Sequence, residues 1–210
     1  MASPRLPNGV IIEGTMVLAG TTIKPGVTRA NMAQQSAAQF AIPWEAWRVH
    51  DAYQTVLPGT AATDDLGLIG GTFGTGVPSL QSSDAKATTV TQYARAVIRM
   101  PIEYDTASDV SLLFHAGMKT TVSDGTATLD VEAYLSDKEG LVDGADKVTT
   151  AATTINSLTL ADKTYIVSAG SLEPGDVLDV RITVAITDTA TGTAVLGWIG
   201  GAWLQCDVRG

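Results

Sequence analysis

From Asp176 to Thr187 the chain reads DVLDVRITVAIT, which sets Leu178, Val180, Ile182, Val184 and Ile186 on one side and Asp179, Arg181, Thr183 and Thr187 on the other. A hydrophobic period of two residues predicts a β-strand with one buried and one wet face. The same alternation runs through TATLDVEAYL, where Ala127, Leu129, Val131, Ala133 and Leu135 oppose Thr128, Asp130, Glu132 and Tyr134. It returns in Val110, Leu112, Phe114, Ala116 and Met118, with Ser111, His115 and Lys119 turned outward. Half-buried strands of this kind belong to antiparallel sheets, because parallel sheets covered on both faces give continuous apolar runs.

Further strands are predicted over 93–100, 148–156, 163–169 and 193–208. The turns fall at Pro101, Ser123-Asp124-Gly125, Asp143-Gly144 and Glu173-Pro174-Gly175-Asp176. Many short strands with almost no helical period predict an all-β protein, a jelly-roll β-sandwich of two sheets. Along Thr193–Val208 strict alternation puts Trp198 and Trp203 on opposite faces, with Gly200, Ala202, Leu204 and Cys206 beside Trp198.

The first 40 residues differ. Prolines at 4, 7 and 25 and short apolar runs bounded by glycines, Val10-Ile11-Ile12 and Met16-Val17-Leu18, predict an extended arm or small hairpin. Such a segment exposes apolar surface unless another chain covers it. Residues 28–38, TRANMAQQSAA, form the one helix candidate, short and capped by Thr28. Residues 42–58, IPWEAWRVHDAYQTVLP, are predicted as the first strand of the body, with Trp44 and Trp47 packing at its entry. The organisation expected is an arm with a short helix over 1–40 and a jelly-roll body over 41–210.

Charge narrows the partners. The net charge of −9 argues against holding nucleic acid through its phosphates. The arm departs from this: Arg5, Lys24 and Arg29 face Glu13 alone, so a slightly basic leader precedes a strongly acidic body. The single cysteine, Cys206, excludes an internal disulfide and a cysteine-built zinc site within one chain. No apolar run approaches the roughly 20 residues of a membrane helix, and MASPRLPNG lacks an apolar h-region. A soluble protein made in a cytoplasm, with no membrane partner, is expected.

The stretch LPGTAATDDLGLIGGTFGTG, residues 57–76, invites a phosphate-binding reading. Gly67, Gly70, Gly71, Gly74 and Gly76 fit neither the P-loop nor the dinucleotide spacing, and no lysine follows closely. Asp64 and Asp65, with Asp51 and Asp84 near in sequence, have no EF-hand spacing and read as turn formers. His50 and His115 are the only histidines, no G-x-S-x-G elbow is present, and no catalytic set, cofactor or metal is expected.

The succession PGVTRANMAQQSAAQFAIPWEAWRVHDAYQTVLPGTAATDDLGLIGGTFGTGVPSLQSSD, then MPIEYDTASDVSLLFHAGM, LDVEAYLSD, SLEPGDVLDVRITVAITDT and CDVRG resembles small structural proteins of tailed bacteriophages. More specifically, it resembles the jelly-roll decoration, or cement, proteins on the outside of icosahedral heads. The markers are a P-x-x-Y-D strand opener, a P-G-D turn and an LP-DDLG-G loop, and they cover most of 25–210. The resemblance implies a homotrimer on the major capsid protein in the virion, no cofactor and no reaction. On that reading Ile11, Ile12, Met16, Val17 and Leu18 supply apolar arm contacts, and Arg5, Lys24 and Arg29 answer acidic capsid surface. Asp64, Asp65, Gly70, Gly71 and Gly74 then form a contact loop, whose glycines permit close backbone approach. The rival is a glycan-binding module of a tail fibre or spike, working through surface aromatics.

Overall fold

A computed structural model describes residues 16–18, 21–23, 36–106, 108–136, 142–168, 170, 172–189 and 192–208. Met16–Leu18 (β1) pairs antiparallel with Thr21–Ile23 (β2), the small hairpin that the apolar run suggested. Ser36–Ala41 (β3) is a strand where the helix candidate was expected to end; its pairing with the last strand of the chain overrides the local preference of SAAQFA. The rest of that helix, residues 28–35, lies outside the described residues.

The remaining strands are Gly67–Ile69 (β4), Ser79–Gln81 (β5), Thr89–Arg99 (β6), Val110–Met118 (β7), Gly125–Ser136 (β8), Val142–Asp143 (β9), Thr153–Thr154 (β10), Ala161–Val167 (β11), Val177–Asp188 (β12) and Gly197–Val208 (β13). One sheet runs β10-β8-β12-β6, with β9 on β8. The other runs β11-β7-β13-β5-β4, with β3 also on β13. The long strands from β6 to β8 and from β11 to β13 alternate between the sheets, so each connection crosses the sandwich. That is the connectivity of a jelly roll.

The wet-and-dry alternation is realised in β12: Leu178, Val180, Ile182, Val184 and Ile186 are buried while their neighbours are half-exposed. Facing them from the other sheet are the inward residues of β7, including Leu112 and Phe114. Phe114 sits between Trp47 at 6.1 Å and Tyr165 at 5.9 Å, the second contact edge-to-face. Fully burying side chains of this size stabilises by about 1.5–3 kcal/mol each. Tyr165 also ties the layers together. Its hydroxyl, carried by β11, donates to the Leu129 carbonyl on β8 at 2.6 Å and pairs with Thr153 Oγ1 on β10 at 2.6 Å.

Residues 42–58 do not form the expected strand. Trp44–Ala46 is a 3₁₀ turn, and the segment then touches β6 through a single bridge, with Arg48 N–H on the Arg95 carbonyl at 2.8 Å and the reverse bond at 3.0 Å. Farther along the same strand Tyr93 N–H donates to Asp64 O at 2.8 Å and Leu66 N–H to Tyr93 O at 2.9 Å. The two loops cover the edge of β6 that a neighbouring chain would otherwise extend. The predicted strand over 148–156 likewise reduces to Thr153–Thr154 and one bridge from Val148 to Val167. Among the described residues no helix is long and apolar enough to cross a membrane.

Candidate functional site

The last strand contains a bulge that alternation did not foresee. Its register against β7 shifts between Ile199 and Gly201, so Ile199, Ala202, Leu204 and Cys206 point into the core. Trp198 and Trp203 are therefore both half-exposed on the outer face, which corrects their expected placement on opposite faces. Two adjacent glycines make this possible. A Cβ on Gly201 would lie 2.3 Å from the Trp203 ring, so the ring folds over a position that only glycine leaves free.

Beside Trp198 opens a cleft of about 660 Å³, walled on its far side by the Gly71–Val77 loop. That loop is closed on itself: Thr72 O accepts from Thr75 N–H at 3.0 Å and Gly76 N–H at 2.7 Å. Gly71 has φ +70°, and a Cβ there would meet the Gly76 carbonyl carbon at 2.7 Å. On the sheet side, Lys119 Nζ donates to Gln81 Oε1 at 2.8 Å and lies 5.7 Å from the centroid of the Trp198 ring. Gln81 in turn donates through Nε2 to Ser79 Oγ at 2.7 Å.

The expected contact loop divides into two places. Gly71 and Gly74 line the cleft by Trp198, and Gly70 lies next to them in the exposed loop. Asp64 and Asp65 sit instead against His50, with Nδ1 3.4 Å from Asp65 Oδ1 and Nε2 3.9 Å from Asp64 Oδ2. His50 also lies 4.6 Å from Tyr93, ring centroid to ring centroid. His50, Asp51 and Asp65 bring one ligand atom each within 4.8 Å of one another. Three donors, one of them on the exposed Asp51, fall short of the six to eight oxygens calcium takes.

Next to this cluster, the outer face of the smaller sheet is a lattice of ion pairs. Arg95 Nε donates to Asp179 at 2.6 Å and Arg181 Nε to Glu132 at 2.7 Å, each with a second contact through Nη2. Arg95 stacks over Tyr53 and Arg181 over Tyr93. The hydrogen bonds that it donates to Asp179 hold the Arg95 guanidinium above its ordinary pKa. The second histidine, His115, meets Asp162 at 2.8 Å on the exposed face of β7. In the core, burial raises Tyr165 to about 12. Burial, with Asp207 next in importance, also raises the Cys206 thiol, making it a poor nucleophile.

A groove of about 610 Å³ opens where β3 meets the Met100–Glu103 turn, with exposed Phe40 and Ile102 on its lining. Of the arm residues, Met16, Val17 and Leu18 are placed in the β1–β2 hairpin. Arg5, Ile11, Ile12, Lys24 and Arg29 lie outside the described residues. The sequence reading did not group Gln81 and Lys119 with Trp198. The Gly200-Gly201 pair was the available signal that alternation would break there.

No protein-family model matches the chain, and no curated protein matches it. Among solved structures, it is similar to the CBM22-1 xylan-binding domain of Paenibacillus barcinonensis Xyn10C at 12% identity and TM-score 0.42, covering 85% of this chain and 97% of that one. It is also similar to an arabinose-bound α-L-arabinofuranosidase, MgGH51, at 12% identity and TM-score 0.40, over 85% of this chain and 26% of that one. A third likeness is to the structure of infectious bursal disease virus, Gx strain, at 10% identity and TM-score 0.33, over 94% of this chain and 55% of that one.

Proposed function

We propose that the chain is a structural virion protein, a homotrimeric decoration protein that binds the outer surface of the major capsid shell of a tailed bacteriophage and stabilises the head. It carries out no reaction of its own. The observation that supports this most is uncovered apolar surface: Phe73 is 103% exposed and Ile102 68% exposed, with Val77 and Phe40 also exposed beside clefts. Large apolar side chains rimming a cleft suit a surface that an assembly covers. Three copies engaging together multiply a weak single contact into durable attachment, since the second and third contacts form at high effective concentration. The test is the solution mass by light scattering followed by co-sedimentation with undecorated heads. A mass near three chains and saturable binding support the reading; a monomer that ignores heads overturns it.

A second reading, a glycan-binding module of a tail fibre or spike, is favoured by one observation. The bulge at Ile199–Gly201 turns both Trp198 and Trp203 to the outer face, with Trp198 in a cleft. Indole rings are the side chains best suited to pack against a sugar. Quenching of tryptophan fluorescence by sugars, without attachment to heads, would favour it.

A further inference from the structure

We propose that the cleft between Trp198 and the Gly71–Val77 loop binds an acidic sugar, its carboxylate on Lys119 and its ring against the Trp198 indole. The proposal rests on the glycan-binding reading and adds the class of sugar. Its size, about 660 Å³, falls within the roughly 300–1,000 Å³ of small-molecule sites. Its wall is formed in advance, because the glycine-rich loop is closed by the two bonds to Thr72 O and held by the close approach of Gly71 to Gly76.

The charge points to the ligand. In a chain of net charge −9, Lys119 is the one charged residue among the described residues that line this cleft. Its ammonium is held in place. Gln81, only 7% exposed, accepts from it and is itself fixed by Ser79. Burying a side-chain amide is costly unless its polar ends are partnered, and here the partners set the direction in which Gln81 presents its oxygen. An ammonium has three N–H donors, so the bond to Gln81 leaves two for an anion. Because Nζ also lies over the indole, a carboxylate on Lys119 brings the attached ring to Trp198. The apolar C–H face of a pyranose suits that surface, whereas a bare inorganic anion makes no use of it.

The experiment titrates the full chain with glucuronic acid, glucose and inorganic phosphate, following the indole N–H of Trp198 by NMR, assigned with Trp198→Phe. Saturable shifts with glucuronic acid are expected. Lys119→Gln, with its fold checked by Tm, should bind glucuronic acid about tenfold more weakly or worse, the fold-change of a lost charge-assisted hydrogen bond. Glucose should be weaker on the parent protein by a similar factor, and Lys119→Gln should weaken it by much less than it weakens glucuronic acid. If glucose binds as well as glucuronic acid, the acidic-sugar proposal falls while the glycan reading stands. If no sugar shifts the indole, both fall. If phosphate displaces glucuronic acid with equal affinity, the cleft is a plain anion site and the proposal is overturned.

Discussion

The hydroxyl of Tyr165 is the place to test how the two sheets are joined. Tyr165→Phe keeps the ring against Phe114 and removes the donor to the Leu129 carbonyl and the partner of Thr153. Leaving buried polar groups without their partner costs about 1–3 kcal/mol, a fall in Tm of about 2–4 °C per kcal/mol for a chain of this size. Alkaline pH separates this account from a loss of packing. Burial raises the Tyr165 phenol from 10.0 to about 12 in the folded protein. Between those values the unfolded chain has given up the proton and the native chain retains it, so stability is full below pH 10 and falls as pH rises. The slope is about 1.4 kcal/mol per pH unit, about 3 kcal/mol over the window. Tyr165→Phe has no such group, whereas Tyr104, Tyr134 and Cys206, also raised, are common to both proteins. Urea unfolding at intervals from pH 7 to 11.5 should therefore show the parent more stable at neutral pH and the two curves converging above pH 10. A gap that stays constant through pH 11.5 refutes the burial and bonding assigned to this hydroxyl.

Three further outcomes are expected. Phe114→Ala, in the middle of the aromatic contact between the layers, should lose about 3–5 kcal/mol in chemical denaturation; a loss below 1 kcal/mol would mean that the core is not continuous there. Gly201→Ala should displace the Trp203 ring and cost about 1–3 kcal/mol through overpacking, visible as a changed near-UV circular dichroism spectrum; an unchanged spectrum would contradict the folded-over ring. Asp179→Asn, which breaks the pair with the partly exposed Arg95, should change stability by less than about 1 kcal/mol by thermal unfolding, a larger loss showing that the charged face carries more of the fold than its exposure suggests.

What the sequence made legible was the half-wet strand. β7, β8 and β12 announce themselves because an apolar residue returns at every second position over nine residues, with mostly polar residues between. β3 was hidden for the opposite reason. Its SAAQFA carries no β-branched residue, and only the distant partner β13 makes it extended. Residues 42–58 misled by hydrophobicity, since Trp47 and Leu57 are buried by packing from a turn and a loop. The cleft was illegible as a unit because its parts lie near residues 71–77, 81, 119 and 198, and because one inserted residue in β13 reverses every side chain that precedes it.

The position of β13 bears on how the protein comes into being. It bonds β7 along one edge, and along the other it bonds β3 at one end and β5 at the other. Gln39, for example, meets Gln205 across 166 residues of chain. A ribosome releasing this chain from the N-terminus therefore presents β3, β5 and β7 long before the strand that joins them exists. Until residues 197–208 emerge, those strands have unpaired edges, and closing so long a loop places folding in the slow range of non-local β topologies. Assembly of the larger sheet is thus a late event, and each newly made copy should pass through a period in which its nascent edges need shielding from one another.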